Sequence, residues 1–245
     1  VFLPHKVTFE GYSRIIQHKD LWVGYSNTIV YTVIGTLINL AVTLPAGYAL
    51  SRDDLPGRNF FTFIFSFTMF FSGGLIPAYL VVKSLNLIDT FWIMVILGAV
   101  SVWNIIIART FFQTNIPKSL REASVTDGCS DFRFFFQIVL PLSKAVIAVL
   151  TIYFAVGHWN EFFNGIIYLR NRARYPLQLF LREILLQNQF TESATYEANM
   201  TVESLLAAMS MKYGVIIVAS LPVMVLYPFL QKYFMKGVMM GAIKG

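Results

Sequence analysis

Cysteine occurs once in this 245-residue chain, at Cys129, so no disulfide can form within it and no cysteine-rich metal site can be built. Charge is scarce too: Asp, Glu, Lys and Arg make up 13%, about half the share usual in soluble domains. A soluble fold of this size would lack the polar surface to cover its core. His158 stands apart from His5 and His18 in the polar start, and no acidic partners sit at ligand spacing. No G-x-x-x-x-G-K-[ST] loop for cradling phosphates appears. The net charge of +6 is modest and dispersed, which argues against nucleic acid and fits basic residues flanking membrane spans. The chain opens without an initiator Met or a signal-peptide pattern. VFLPHKVTFEGYSRIIQHKD reads as an exposed segment already under way, with more sequence expected upstream.

What is present is apolar. Hydrophobic residues make up 56%, Phe occurs 23 times, and mean hydropathy is +0.62. The expected class is an all-α integral membrane protein. Five stretches approach the roughly 20 residues that a helix needs to cross hydrocarbon. They are Asn27 to Leu50, Phe60 to Pro77 with a break at SGGLIP, Phe91 to Ala108, Ala145 to Tyr168, and Gly214 to Leu230. AYLVVKSLNLID, after the second, fits a short interfacial helix. Barrel strands would be shorter and alternating. Lys and Arg divide almost evenly between the two sides, so charge does not orient the chain.

One polar stretch interrupts this pattern: LREASVTDGCSDFRFFFQIVLP, Leu120 to Pro141. Ser119 and Glu122 have capping-box spacing, which predicts a helix starting near Leu120. Gly128 suits a left-handed turn, and Ser130 suits the cap of a second helix that Pro141 would stop. An amphipathic helix resting on the membrane surface would account for the stretch equally well.

Glu122-Ala123-Ser124-x-x-Asp127-Gly128, followed by Ile138-x-Leu140-Pro141, resembles the EAA loop of ABC importer permeases, commonly EAA-x-x-DGA, a spacer and I-x-LP. Ser124 and Cys129 stand where Ala is usual, and both are small replacements. Trp159-Asn160-Glu161-Phe162 and the tail YFMKGVMMGAIKG are similar to carbohydrate-uptake permeases of the maltose-importer type. SGGLIPAYLVVKSLNLIDTFW is similar to a subgroup that handles larger or acidic oligosaccharides, alginate among them. The resemblance covers essentially the whole chain.

It implies a type I ABC importer transmembrane domain in a bacterial cytoplasmic membrane, one permease domain over residues 1–245, with five spans visible of an expected six. Residues 1–24 would be an external segment after a missing first span, 113–143 the cytoplasmic EAA loop, 169–213 an external loop, and 236–245 a cytoplasmic tail. The implied partners are a second homologous permease, two ATPase subunits that bind ATP and Mg, an extracytoplasmic solute-binding protein and membrane lipid. This subunit would hold no cofactor, metal or catalytic residue. By the same resemblance Glu122 makes an ionic contact with the ATPase, Ala123 and Ser124 allow its close approach, Gly128 makes the turn, and Asp127 caps or stiffens it.

Two further groups are candidates for contact with cargo. Glu161 is the one carboxylate inside an expected span, with Trp159, Asn160 and Asn164 beside it. Counting about 1.5 Å per residue from Lys144 places it about 25 Å from the inner surface. Such groups can stack on sugar rings and hydrogen-bond hydroxyls, or simply hold helices together. Arg170, Arg172 and Arg174 open the external loop, where family position suggests the binding protein or its sugar, and ordinary physics suggests lipid phosphate. The Phe-rich runs read as packing and lipid contact. A secondary transporter without an ATPase, or a membrane-embedded enzyme with clustered His, Asp or Cys, are the alternatives from other classes.

Overall fold

The computed structural model describes residues 17, 19–195, 213, 214, 216–222, 224 and 225, which form helices and connecting turns with no strand. Helix α1, Lys19–Ser51, runs 33 residues. At 1.5 Å per residue it measures about 50 Å, well beyond the thickness of hydrocarbon. It begins earlier than its apolar run, with Asp20 in the first turn complementing the helix dipole. This helix is the axis of the fold. Its buried residues include Tyr31, Leu44 and Leu50, and also the polar Thr28, Thr36, Asn39 and Thr43. Close packing comes from small residues. A Cβ added at Gly47 would lie 2.6 Å from the Ala108 Cβ and 3.1 Å from the Arg109 nitrogen of the neighbouring helix.

Three expected spans are broken: the second at the SGGLIP break read from the sequence, the third and fourth at breaks that hydropathy does not announce. The second divides into α2, Arg58–Phe70, and α3, Leu75–Ser84, bent by 113°. Gly74 at φ +81 makes the corner, and Pro77 is tolerated in the first turn of α3. The third divides into α4, Phe91–Ile96, and α5, Val102–Asn115. Between them the carbonyls of Gly98 and Ala99 leave the helical ladder, and Asn39 Nδ2 donates to both, at 3.1 and 2.8 Å. Irregular backbone at membrane depth survives where protein satisfies it, which hydropathy does not register. The fourth stops with α8, Lys144–Trp159, and resumes as α9, Phe163–Tyr168.

Before α8 come α6, Lys118–Thr126, and α7, Asp131–Leu142, the latter bent 81° from α8. After α9 a short 3₁₀ turn, Arg172–Arg174, leads to α10, Leu177–Thr195. Residues 216–222 are helical, and Ala219 packs with Leu21, Trp159, Leu177 and Leu181. By length and composition, α1 alone among the described residues suffices to cross a membrane. The count rises to three when each bent pair is one span. The expected external segment up to residue 16, the tail 236–245 and part of the last expected span lie outside the described residues.

Ion pairs sort the chain into two poles. Arg52, Asp53, Asp54, Arg58, Lys118, Arg121 and Asp131 meet beyond the C-terminal end of α1. Asp20, Asp89, Arg172, Arg174 and Glu183 meet at its N-terminal end.

Candidate coupling element and translocation site

Helix α6 starts at Lys118 after Pro117, whose ψ of 138° is still extended. Ser119 therefore sits inside the first turn, and the capping box predicted from Ser119 and Glu122 does not form: α6 has no side-chain cap. The other end follows the prediction. Gly128 takes φ +71, its N–H donates to Val125 O at 3.0 Å, and the Cys129 N–H donates to Ser124 O at 2.9 Å. That pair of bonds is the Schellman closure, which suits glycine because a side chain strains this backbone. Ser130 Oγ accepts from the Arg133 N–H at 3.3 Å and starts α7. Pro141 does not stop that helix. A π-helical turn over Phe135–Val139 widens the ladder ahead of the proline, and the helix ends at Leu142.

Glu122, Ala123 and Asp127 are exposed, and so is the apolar Val125 beside them. Asp127 closes the helix through its backbone, donating to Ala123 O at 3.0 Å. Ser124 faces the other way. It is 7% exposed, with its hydroxyl donating to Arg121 O at 2.7 Å, so close approach from outside falls to Ala123 and not to Ser124.

Behind α6 lies an ionic cluster that the sequence reading missed. Arg52 grips Asp54 with a fork, Nε to Oδ1 at 2.9 Å and Nη2 to Oδ2 at 2.6 Å, and reaches Asp131 with Nη1 at 2.5 Å. Arg121 Nη2 donates to Asp54 at 2.9 Å and to Asp131 at 3.5 Å. Asp53 pairs with Arg58 and Lys118. Hydrogen bonds from Arg52 hold the carboxyls of Asp54 and Asp131 below the usual range, and those carboxylates raise Arg52 in turn. A cavity of about 700 Å³ opens here, with Tyr48, Phe112, Ile116, Arg121, Glu122 and Val125 in its lining. The signal available in the sequence was four charges, Arg52, Asp53, Asp54 and Arg58, packed into a short loop after an uncharged span.

The second group converges on the middle of α1. Asn39 Oδ1 accepts from His158 Nε2 at 2.7 Å, the role left to the ring once Asn39 Nδ2 serves the Gly98 and Ala99 carbonyls. A cavity of about 330 Å³ beside this link is lined by Asn39, Tyr153, His158, Glu161 and Asn164, among others. Glu161 lies in the break between α8 and α9, and its Oε1 accepts from the Asn164 N–H at 3.0 Å, capping α9. Asn160 turns aside, its Nδ2 donating to Val156 O and its Oδ1 accepting from Gln178. Trp159 is a core residue. It is 5% exposed, its Nε1 donates to Ala219 O at 3.1 Å, and its ring meets Tyr25 edge-on at 5.9 Å. Neither Trp159 nor Asn160 lines the cavity. Asn39 and Tyr153, which do, were missed. Asn39 was legible only as a lone amide midway along an uncharged span.

The three arginines are not equivalent. Arg174 pairs with Asp89 at 3.2 Å, and Arg172 with Asp20 and Glu183 at 2.9 Å each, its guanidinium 5.1 Å from the Phe180 ring centre. Asp89 also accepts from the N–H groups of Arg170 and Asn171, which lowers its carboxyl pKa. Arg172 and Arg174 are thus structural ties. The exposed guanidinium of Arg170 has no partner among the described residues. Also among the described residues, no group of three His, Cys, Asp or Glu side chains is placed to hold a metal ion.

A family model for the inner membrane component of binding-protein-dependent transport systems matches residues 21–240. The chain belongs to this family. The permease is 39% identical, over all 245 residues and 85% of the relative, to the polygalacturonan/rhamnogalacturonan transport system permease protein YtcP of Bacillus subtilis (strain 168). It is 38% identical to Protein LplC of the same organism over 242 residues, 99% of this chain and 81% of that one. A solved bacterial ABC transporter involved in the import of the acidic polysaccharide alginate contains a chain that superposes with a TM-score of 0.82. The two are 34% identical, covering 95% of this permease and 81% of that chain. The fold is that of a type I ABC importer permease, and the protein is an inner-membrane component of such a system. Nothing in these likenesses supports a secondary transporter.

Proposed function

We propose that this permease forms half of the translocation pathway of an oligosaccharide importer and is driven through α6 by ATPase subunits on the cytoplasmic side. The observation that carries this is the two-sided character of α6. Glu122, Ala123 and Val125 are offered to solvent, while Arg121 on the same helix is anchored to the end of α1. A helix so exposed and so fixed suits a partner that pushes on it. ATP and Mg would bind in the ATPases, a second homologous permease would complete the pathway, and a solute-binding protein would deliver cargo. In this arrangement residues 113–143 face the cytoplasm, with 169–213 on the outside.

The names of the relatives support carbohydrate as cargo, and those of YtcP and the alginate importer favour an acidic oligosaccharide. Glu161 and Asn164 would meet passing hydroxyls, and of Arg170, Arg172 and Arg174 it is Arg170 that is free to meet a carboxylate or the binding protein. The test is ATP hydrolysis in liposomes holding the permease, its partner permease and the ATPases. Glu122→Ala with Gly128→Val should leave an assembled complex that no longer responds to loaded binding protein. Persistent stimulation would defeat the coupling reading.

A further inference from the structure

We propose that Arg52 is a positioning residue that carries movement of α6 into α1, acting through a latch of two guanidiniums and two carboxylates with Asp54, Arg121 and Asp131. The inference rests on the coupling role proposed for α6 and names how the push continues past it.

Arg52 directly follows the last residue of α1, so its backbone is an extension of that helix. Its fork on Asp54 fixes the guanidinium plane, and its remaining nitrogen reaches Asp131 at the first turn of α7. Arg121 repeats both contacts from α6. One shared pair of carboxylates therefore joins α1, α6 and α7 across 79 residues of sequence. Arg52 is the sheltered member, with its side chain 17% exposed against 59% for Asp131. It lies over the Tyr48 ring, 5.9 Å from the centre. Tyr48 in turn packs against Phe112 of α5 and Phe134 and Phe135 of α7.

Packing alone offers α6 a poor route to α1. Ser124 is its one fully buried residue, and Leu120 is its one hydrophobic side chain packed against the core cluster of Leu44, Phe112 and Phe134. A 700 Å³ cavity lies between Arg121, Glu122 and Val125 on one side and Tyr48 and Phe112 on the other. Across that gap the ionic bridges are the stiff connection, because bidentate guanidinium–carboxylate pairs fix direction as well as distance. The carboxylate ends of these pairs are about half exposed, at 49% for Asp54 and 59% for Asp131, and Arg121 still contacts both when Arg52 is replaced, so the fold should survive the change and expose its mechanical role. Further along α1, Asn39 holds His158 and the wall of the 330 Å³ cavity. A shift delivered at Arg52 arrives on the same helix that shapes that cavity.

The test uses the full complex in liposomes, with uptake and ATP hydrolysis measured together. Arg52→Gln should still assemble with the ATPases and hydrolyse ATP, while ATP consumed per sugar imported rises about fivefold or more. Arg52→Lys, which keeps the charge but not the fork, should recover only part of the ratio. A purely structural role would lower both activities in proportion and leave the ratio alone. An unchanged ratio in Arg52→Gln overturns the latch. Should that variant fail to assemble, Asp131→Asn at the exposed corner decides in its place, again by whether the ratio moves. Loss of coupling in Glu122→Ala with Gly128→Val, beside a normal ratio in Arg52→Gln, would sink the latch alone. Normal stimulation in the Glu122 and Gly128 variant would remove the reading beneath it.

Discussion

At Gly128 an added Cβ would meet nothing within 4 Å, yet the backbone sits at φ +71. Gly128→Ala therefore costs backbone strain alone, about 1 kcal/mol. At Gly47 the backbone is ordinary helix and the obstacle is the Ala108 Cβ at 2.6 Å, with the α5 backbone just behind it. Gly47→Ala must push two helices apart, at about 1–3 kcal/mol. Thermal unfolding of the purified complex should rank the two in that order, while only Gly128→Ala should weaken stimulated hydrolysis without spoiling assembly. Glu161 permits a similar separation of causes. Glu161→Gln keeps an acceptor for the Asn164 N–H and removes the charge, whereas Glu161→Ala also loses the α9 cap, at about 1 kcal/mol. If Glu161 serves the pathway through its charge, the Gln variant should lose uptake at wild-type stability. Unimpaired uptake there, with damage confined to Ala, would make Glu161 a cap and nothing more.

Among the elements, α6 and α7 depend on a few named devices: the Gly128 closure, the Ser130 cap, the π turn ahead of Pro141, and the carboxylates beneath. Asp54 and Asp131 have folded-state pKa values depressed below 3.8, first of all by hydrogen bonds from Arg52. Their stabilisation is therefore complete above the unfolded value, near 4, and is lost as pH falls through the lower folded values. Asp131→Asn should destabilise the fold slightly at pH 7, by no more than about 1 kcal/mol given its exposure, read as a small drop in melting temperature. The difference from wild type should persist at pH 5 and vanish in stronger acid. A cost that grew on acidification would contradict the pairing. The closing glycine and the Ser130 cap were legible because each depends on one residue's local preference. The α6 start was not, because Pro117 moved it ahead of the Ser119–Glu122 box. The π turn was not either, since it answers to a proline several residues further on.

For the whole molecule, the two ionic poles make a topological statement. Lys118 and Arg170 belong to opposite ends of α1, so in the proposed orientation they lie on opposite faces of the membrane. In a Cys129→Ala background, Lys118→Cys should react with an impermeant thiol reagent only from the cytoplasmic face, and Arg170→Cys only from outside. Reaction of both from one face would refute the topology. Near-even Lys and Arg could not have settled this, because many of them answer to a carboxylate partner and not to the membrane potential. The sequence by itself determined the apolar class, the helical repertoire, the polar element between Leu120 and Pro141 and its turn at Gly128. These follow from composition and from preferences acting within a few residues. Tertiary structure alone decided that the third and fourth spans break, that Asn39 satisfies one break, that Trp159 is core, and that Arg52 meets Asp131. Each of those depends on groups far apart in the chain, where no local spacing records which carbonyl, ring or charge will arrive.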